Sequence, residues 1–231
     1  MFMILLFGSI AFFVFVHEMQ RAKNISLLKR EFICIHQLSS VVEISLFMRF
    51  IKRLTDIVVS LLVCLTILPI LCVVLAPFIK LSSAGPIIFC QKRVGLFGKE
   101  FVCYKFRSMY LGSDGVTISK GDARVTPVGR FIRKTHLDEF PQFVNVLFGD
   151  MSLVGPRPLP DYVVEDFKKI PDYYHRLLVR PGITGISQIN SGRTLELEHV
   201  LKLDMEYLKT ISWLKDIQIM GKTLCFNDDA F

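Results

Sequence analysis

A stretch of 23 residues without a charged side chain, Ile57–Ile79, constrains the fold of this chain most. As one continuous helix it would be long enough to cross the hydrocarbon core of a bilayer, which takes about 20 apolar residues. Pro69 lies near its middle, however, and proline interrupts the hydrogen-bond ladder of a helix. We therefore expect a helix that is broken at Pro69.

The basic residues around this stretch indicate how it would meet a membrane. Lys52 and Arg53 precede it and Lys80 follows it, and lysine and arginine favour the cytoplasmic side of a membrane. A broken helix that enters and leaves through one face would place both flanks on that side. We expect this re-entrant arrangement over residues 48–80, and the alternative is a kinked helix that spans the membrane.

Short periodic runs elsewhere predict a small β-hairpin and further helices. Pro86–Gln91 and Glu100–Phe106 are apolar, β-branched or aromatic runs on either side of the turn-rich segment Arg93–Lys99, which is a hairpin pattern. Leu195–Lys209 and Ile211–Leu224 carry the last helical patterns. Because no strand leads into a Gly-x-Gly-x-x-Gly turn, the sequence predicts an α+β, predominantly helical fold rather than a dinucleotide-binding one.

Two amphipathic helices are predicted between residues 126 and 148. Thr126-Pro127 starts the first, because it joins a capping residue to a proline at the first helical position. One face of that helix comprises Val128, Phe131, Ile132 and Thr135. The apolar face of the second comprises Phe140, Phe143, Val144, Leu147 and Phe148. Helices rich in Phe and basic residues are typical of the membrane interface, and ordinary core packing is the alternative.

Two adjacent carboxylates, Asp138 and Glu139, are the strongest candidates for chemistry. Pro141 is tolerated only in the first turn of a helix, so the sequence predicts a helix that begins near Asp138. Helix starts favour both carboxylates and phosphates. Three cations lie just upstream: Arg130, Arg133 and Lys134. An ionised aspartate beside cations is suited to attack a phosphoryl group, although a plain helix cap would also place Asp138 there.

A second candidate is the loop Ser152–Pro158. Pro156 and Pro158 flank Arg157 and restrict the backbone on both sides of it. Such a loop would present a guanidinium in a fixed position, which suits bidentate contact with a phosphate. Arg180–Gly185 is another turn rich in Pro and Gly that carries an arginine.

The charge and apolar content limit the class of function. The formal net charge is +7 and 52% of the residues are hydrophobic, which suits an anionic membrane surface, phosphate ligands or nucleic acid. No helix-turn-helix, zinc-finger or RNP pattern occurs in the sequence, so we expect no nucleic-acid partner. The residues alone leave three hypotheses open: phosphoryl transfer at Asp138, a metal-dependent phosphodiesterase using His136, Asp138 and Glu139, and a non-catalytic adaptor whose basic helices bind membrane lipid.

Taken in order, six motifs resemble those of the bacterial sugar transferase family, the monotopic polyprenyl-phosphate phosphoglycosyl transferases. They are Lys52-Arg53-Leu54-x-Asp56, Gln91-x-Arg93-x-Gly95, Tyr104–Met109, Leu137–Gln142, Asn145–Pro158 and Arg180–Gly185. The similarity runs from Lys52 to Leu224. Two segments depart from the family pattern: Ile186-Ser187-Gln188 and the turn Asn190–Arg193, which is one residue longer.

The resemblance implies an enzyme that transfers a phosphosugar from a UDP-sugar to undecaprenyl phosphate and releases UMP. Asp138 would attack the β-phosphate and form a covalent intermediate, and Glu139 would help Asp138 to hold Mg²⁺. The residues that would bind phosphate are Lys105, Arg133, Arg157 and Arg193. The reaction would be the first membrane step of an exopolysaccharide, O-antigen or glycoprotein pathway.

The resemblance also implies a domain arrangement at the cytoplasmic face of the bacterial inner membrane. A re-entrant helix over 48–80 would carry a cytoplasmic catalytic domain over 81–231, with a small hairpin and interfacial amphipathic helices. Residues 1–47 precede the matched motifs, and Phe2–Val16 is too short to span a bilayer comfortably. We expect either a reading-frame extension ahead of a start at Met48 or an extra anchor.

Overall fold

The structure is a computed structural model that describes residues 29–34, 44–112, 121–191 and 196–225. The helices are α1 (29–34), α2 (Leu46–Leu65), α3 (Ile67–Ser82), α4 (Pro127–Lys134), α5 (Gln142–Phe148), α6 (Asp161–Lys168), α7 (Ile186–Ser191), α8 (Leu197–Lys209) and α9 (Trp213–Cys225). The strands are β1 (Ile88–Val94), β2 (Glu100–Phe106), β3 (Ser152–Val154), β4 (Leu159–Pro160) and β5 (Gly182–Thr184). Short 3₁₀ segments occupy Leu96–Gly98, Leu137–Glu139 and Tyr173–Leu178. The predicted α+β, mainly helical fold is confirmed.

The apolar stretch forms a bent pair of helices, α2 and α3. Their axes differ by 45° across Thr66, whose hydroxyl donates a hydrogen bond of 2.7 Å to the carbonyl of Leu62. The break lies three residues before Pro69, which therefore stands in the first turn of α3, where a proline removes no helical hydrogen bond. No single helix of the described ranges is long and apolar enough to cross a membrane, whereas this bent pair could do so by length and composition. Its re-entrant path stays a prediction.

The first turns of α2 are bonded to the body of the protein. The guanidinium of Arg53 donates to the carbonyls of Val146 (2.7 Å) and Leu147 (3.0 Å) at the end of α5. Asp56 accepts hydrogen bonds from the hydroxyl of Ser152 (3.1 Å) and the amide of Leu153 (3.0 Å) in β3. The bent pair is therefore attached directly to the elements that follow the Asp-Glu motif.

The predicted hairpin is present, and β1 runs to Val94, three residues beyond the predicted run. Strands β1 and β2 pair antiparallel, with Ile88 opposite Phe106 and Val94 opposite Glu100. Strand β4 pairs with the other edge of β1 and brings the end of the Ser152–Pro158 loop against the hairpin. The last residues of β2 then lie beside the Asp-Glu motif.

A second, two-stranded sheet joins the two loops rich in Pro and Gly. Strands β3 and β5 pair in parallel, with Ser152 opposite Gly182 and Val154 opposite Thr184. A Cβ atom at Gly182 would lie 2.1 Å from the backbone nitrogen of Gly155. The two backbones can approach this closely only because both residues are glycine.

The described helices between residues 126 and 148 are shorter than the sequence predicts. Helix α4 starts as expected, since the hydroxyl of Thr126 accepts the amide of Gly129 at 2.9 Å. The second helix does not begin near Asp138, and that prediction is wrong: the chain forms the 3₁₀ turn Leu137–Glu139, and α5 begins only at Gln142. Proline cannot donate the amide hydrogen bond that would continue a helix through residue 141.

The apolar face predicted for α5 is half-buried except at Phe148, and the most buried face carries two polar residues. Phe148 is 66% exposed, whereas Gln142, Asn145 and Val146 are buried. The side-chain amide of Asn145 donates to the carbonyl of Val102 at 2.7 Å and accepts the amide of Tyr104 at 3.0 Å. This pair of bonds fixes α5 against β2.

Candidate active site

The Asp-Glu motif lies in a tight turn between α4 and α5. His136 has a φ of 55° and starts the 3₁₀ turn Leu137–Glu139. A non-glycine residue in this left-handed region costs about 1–3 kcal/mol, so the surrounding packing must impose the turn. Asp138 and Glu139 are both buried, with 3% and 8% of their surfaces exposed.

Glu139 gathers two cations from distant parts of the sequence. Its Oε1 atom lies 2.6 Å from Nζ of Lys105 on β2 and 3.1 Å from Nη2 of Arg157 on the loop between β3 and β4. The negative charge of Glu139 raises the pKa of the Arg157 guanidinium above its ordinary value. Three motifs that are separate in sequence therefore meet at one carboxylate.

Arg133 supplies a third cation from the last turn of α4. Its Nε donates a hydrogen bond of 2.7 Å to the hydroxyl of Ser108. Burial lowers the pKa of Arg133, and the negative charges of Asp138 and then Glu139 oppose that shift. The predicted residues Lys105, Arg133, Arg157, Asp138 and Glu139 are thus brought together.

Other arginines hold the parts of the site in place. The guanidinium of Arg107, one residue beyond β2, donates to the carbonyls of Ile79 (3.1 Å), Ser83 (2.6 Å) and Ala84 (2.8 Å) at the end of α3. Arg93 on β1 donates to the carbonyl of Pro158 at 2.7 Å. The bent helix pair and the Arg157 loop are both attached to the hairpin in this way.

The sequence motifs include Arg93, Arg107, Ser108 and Asn145, but the sequence predicts no role for these four residues. Their partners lie far away in the chain, so linear spacing carried no signal for the contacts. Arg193, the remaining predicted phosphate ligand, lies outside the described residues, and its role stays a prediction.

Asp138 and Glu139 suit Mg²⁺ better than a metal that needs three or more protein ligands. In the described ranges, no group of three or more His, Cys, Asp and Glu side chains could hold a metal ion. The phosphodiesterase hypothesis, which needs ligands beyond His136, Asp138 and Glu139, gains no support there. Mg²⁺ is commonly bound through one or two carboxylates together with substrate phosphates. The donor set of Asp138 and Glu139 fits that mode.

The site combines two buried carboxylates with a lysine and two arginines, an arrangement that is chemically suited to phosphate groups. It lies on an α+β body that is attached to a bent apolar helix pair. The bacterial sugar transferase family matches residues 47–227. This chain belongs to that family, as its motifs predicted.

Characterised relatives agree with this assignment. The chain is 45% identical over 185 residues to a UDP-glucose:undecaprenyl-phosphate glucose-1-phosphate transferase of Escherichia coli (strain K12), covering 76% of this chain and 40% of that protein. It is 42% identical over 182 residues to a UDP-N-acetylgalactosamine-undecaprenyl-phosphate N-acetylgalactosaminephosphotransferase of Aeromonas hydrophila, covering 76% and 43%.

A shorter relative is covered more fully. A UDP-glucose:undecaprenyl-phosphate glucose-1-phosphate transferase of Caulobacter vibrioides is 40% identical over 192 residues, covering 78% of this chain and 72% of that protein. By contrast, the chain spans about two fifths of the length of the Escherichia coli and Aeromonas proteins.

Proposed function

We propose that this chain transfers a sugar phosphate from a UDP-sugar to undecaprenyl phosphate and releases UMP. The observation that carries the proposal is the buried Asp138-Glu139 turn with Lys105, Arg133 and Arg157 around it. The names of the relatives support the donor and acceptor classes, although they differ in the sugar, glucose in one and N-acetylgalactosamine in another. The sugar is therefore best found by a screen.

In the first step, a carboxylate oxygen of Asp138 attacks the β-phosphorus of the UDP-sugar. The bond from that phosphorus to the bridging oxygen breaks, and the oxygen leaves with UMP. Asp138 then carries the sugar phosphate as an acyl phosphate. In the second step, a phosphate oxygen of undecaprenyl phosphate attacks the same phosphorus, the bond to Asp138 breaks, and the carboxylate is restored. No proton has to be moved in either step.

The cations around the turn make this chemistry possible. An anionic nucleophile must approach an anionic diphosphate, so positive charge has to be present before the reactants meet. Arg157 keeps 35% of its side chain exposed and can reach a substrate while Nη2 contacts Glu139. Lys105 keeps only 17% of its side chain exposed and contacts Glu139, and the negative charges of Asp138 and Glu139 act on Arg133.

Asp138 and Glu139 are the residues that would hold Mg²⁺. When bound, Mg²⁺ would neutralise charge on the diphosphate of the donor. Glu139 also binds Lys105 and Arg157, so the same carboxylate would tie the metal to the phosphate-binding cations.

We further propose that α2 and α3 enter and leave the cytoplasmic leaflet of the inner membrane from one side. Large apolar side chains on this pair are exposed: Leu62, Leu65, Ile70, Val73, Phe78 and Leu81. Exposed apolar surface of this extent is costly in water and favourable in lipid. Arg107 bonds the hairpin beside the candidate site to the end of α3. Since the proposed acceptor is a lipid, this connection would bring the site within reach of it.

The test is a UMP-release screen of the purified chain in lipid, with undecaprenyl phosphate and a panel of UDP-sugars. We expect UMP from at least one UDP-sugar, and the lipid product should contain both the sugar and its phosphate. The variant Asp138→Asn should release none. Membrane binding without UMP from any UDP-sugar would instead favour the adaptor hypothesis.

A further inference from the structure

We propose that the buried pair Arg176–Asp204 positions Arg157 for the reaction. This inference rests on the proposed function and assigns a role to two residues outside the Asp-Glu turn. Their side chains contact each other, the carbonyl of Arg157, the hydroxyl of Ser187 and the ring of Phe167. They act through the backbone of the loop that carries Arg157.

Arg176 connects the loop to α8. Its Nη2 donates a hydrogen bond of 2.8 Å to the backbone carbonyl of Arg157 and lies 2.9 Å from Oδ2 of Asp204. The other oxygen of Asp204 accepts the hydroxyl of Ser187 at 3.2 Å. The guanidinium also lies over the ring of Phe167, 5.2 Å from its centroid. Arg176 is thus held by Asp204 and Phe167 in addition to its bond to the loop.

The loop depends on such carbonyl contacts. Pro156 and Pro158 have no amide hydrogen to donate, so the segment must be held mainly through its acceptors. Three consecutive carbonyls are held: Pro156 by the amide of Gly182 (2.9 Å), Arg157 by Arg176, and Pro158 by Arg93. A narrow cleft lined by Arg157 and Arg176 borders the loop on the side of Arg176.

The central bond of these three controls the residue that meets the substrate. The carbonyl and the side chain of Arg157 share one Cα atom, so a rotation that frees the carbonyl also moves the guanidinium. That guanidinium lies 3.1 Å from Glu139. A continuous path therefore runs from Asp204 through Arg176 and Arg157 to the Asp-Glu turn.

A purely structural role explains this pair poorly. Arg176 and Asp204 are 3% and 2% exposed, and burying an ion pair costs desolvation energy that the attraction between the charges returns only in part. Apolar residues of similar volume would fill the same space at little loss of stability. An arginine, by contrast, can bind a carboxylate and a backbone carbonyl in one fixed geometry.

The test is a set of four proteins in the UMP assay: wild type, R157A, the paired variant R176M/D204N, and all three changes together. The paired variant removes both buried charges, so no unpaired charge is left in the core. We expect its kcat to fall by about 10²-fold at an unchanged folded fraction, as for a small displacement of a catalytic group. In that background, R157A should lower kcat by less than about a further twofold, because the contribution of the Arg157 side chain is already lost.

Arg53→Met is the matched control, since Arg53 also donates to backbone carbonyls but at the end of α5. Its effect on kcat and that of R157A should multiply. If the effects of R176M/D204N and R157A also multiply, the pair does not act through Arg157 and the inference is wrong.

A second measurement separates this inference from the proposed function. In ¹⁵N-arginine-labelled protein, the Nε–Hε signal of Arg157, assigned with R157K, should indicate a rigid guanidinium in the wild type and a mobile one in R176M/D204N. If the wild type releases no UMP from any UDP-sugar, the proposed function fails, and this signal still decides the positioning role. An equally rigid Arg157 in both proteins would overturn it.

Discussion

At the scale of single residues, Glu139 connects separate parts of the candidate site. One carboxylate oxygen contacts both Lys105 and Arg157, which come from different elements. Hydrogen bonds between charged groups are stronger than neutral ones, and the one from Lys105 is short at 2.6 Å. Glu139 therefore sets the positions of two cations that we propose bind phosphate, in addition to any contact with a metal.

Glu139→Gln keeps the shape of this side chain and removes its charge. We expect kcat to fall by on the order of 10²-fold, because both cations lose the charge that orients them. UMP release is the measurement, and Glu165→Gln is the control, since Glu165 pairs with Lys168 at the exposed surface of α6. A Glu139→Gln enzyme as active as the control would show that the charge of Glu139 is not needed.

At the scale of elements, the parallel pair of β3 and β5 decides how the two Pro- and Gly-rich loops meet. Gly182→Ala would place a Cβ atom 2.1 Å from the backbone nitrogen of Gly155. We expect this change to lower the free energy of unfolding by about 2 kcal/mol or more, as for other overpacked sites. Thermal unfolding followed by circular dichroism measures the loss.

Gly221→Ala is the control for this substitution. A Cβ atom there would meet no neighbouring heavy atom within 4 Å, and Gly221 lies within α9. Replacing a helical glycine by alanine should stabilise the protein by up to about 1 kcal/mol. Equal effects of the two substitutions would contradict the close approach of β3 and β5.

From the bend between α2 and α3 we predict that this helix pair enters and leaves the membrane on the same side. Phe47→Cys and Ala84→Cys place thiols at exposed positions on the two flanks, in a background without the native cysteines. If the pair is re-entrant, an impermeant thiol reagent should label both from the cytoplasmic side only. Labelling of the two flanks from opposite sides would establish a spanning helix.

At the scale of the whole molecule, the described part of the N-terminal region packs on the body. Phe32 of α1 is buried, and its ring lies 5.8 Å from that of Phe97 and 6.4 Å from that of Tyr174, measured between centroids. A protein that starts at Met48 should lose about 1–3 kcal/mol of stability, the value of one buried aromatic side chain. It should still enter membranes and release UMP with an unchanged donor preference, because every matched motif lies downstream.

The UMP assay on both lengths of the protein checks this. An inactive or soluble short form beside an active full chain would make residues 1–47 an integral part of the enzyme.

Local signals in the sequence predicted local structure well. The Thr126-Pro127 cap, the hairpin and a break in the apolar stretch follow from properties of adjacent residues, and all three are present, although the break lies at Thr66 and not at Pro69 itself. The turn at Asp138 was not predicted, because it depends on a left-handed conformation of His136 that non-glycine residues adopt only in a few per cent of cases. Only the tertiary packing around residues 137–139 imposes it.

The family motifs predicted which residues form the candidate site. They did not predict the hydrogen bonds and ion pairs that connect those residues to the rest of the fold. Nothing in the spacing of Arg176 and Asp204 indicates that they meet, or that Arg176 reaches Arg157. Such contacts depend on where α8 and the 3₁₀ segment Tyr173–Leu178 pack. Motifs therefore predicted the candidate groups, and the structure was needed to find which residues hold them.

The covalent role of Asp138 is the central claim, and intact-mass spectrometry tests it most directly. The protein is incubated with its UDP-sugar donor in the absence of undecaprenyl phosphate. We expect its mass to rise by one phosphosugar, with the adduct on Asp138, and to return to the starting value when undecaprenyl phosphate is added. Asp138→Asn should gain nothing. Turnover without any adduct, or an adduct that still forms on Asp138→Asn, would contradict the account.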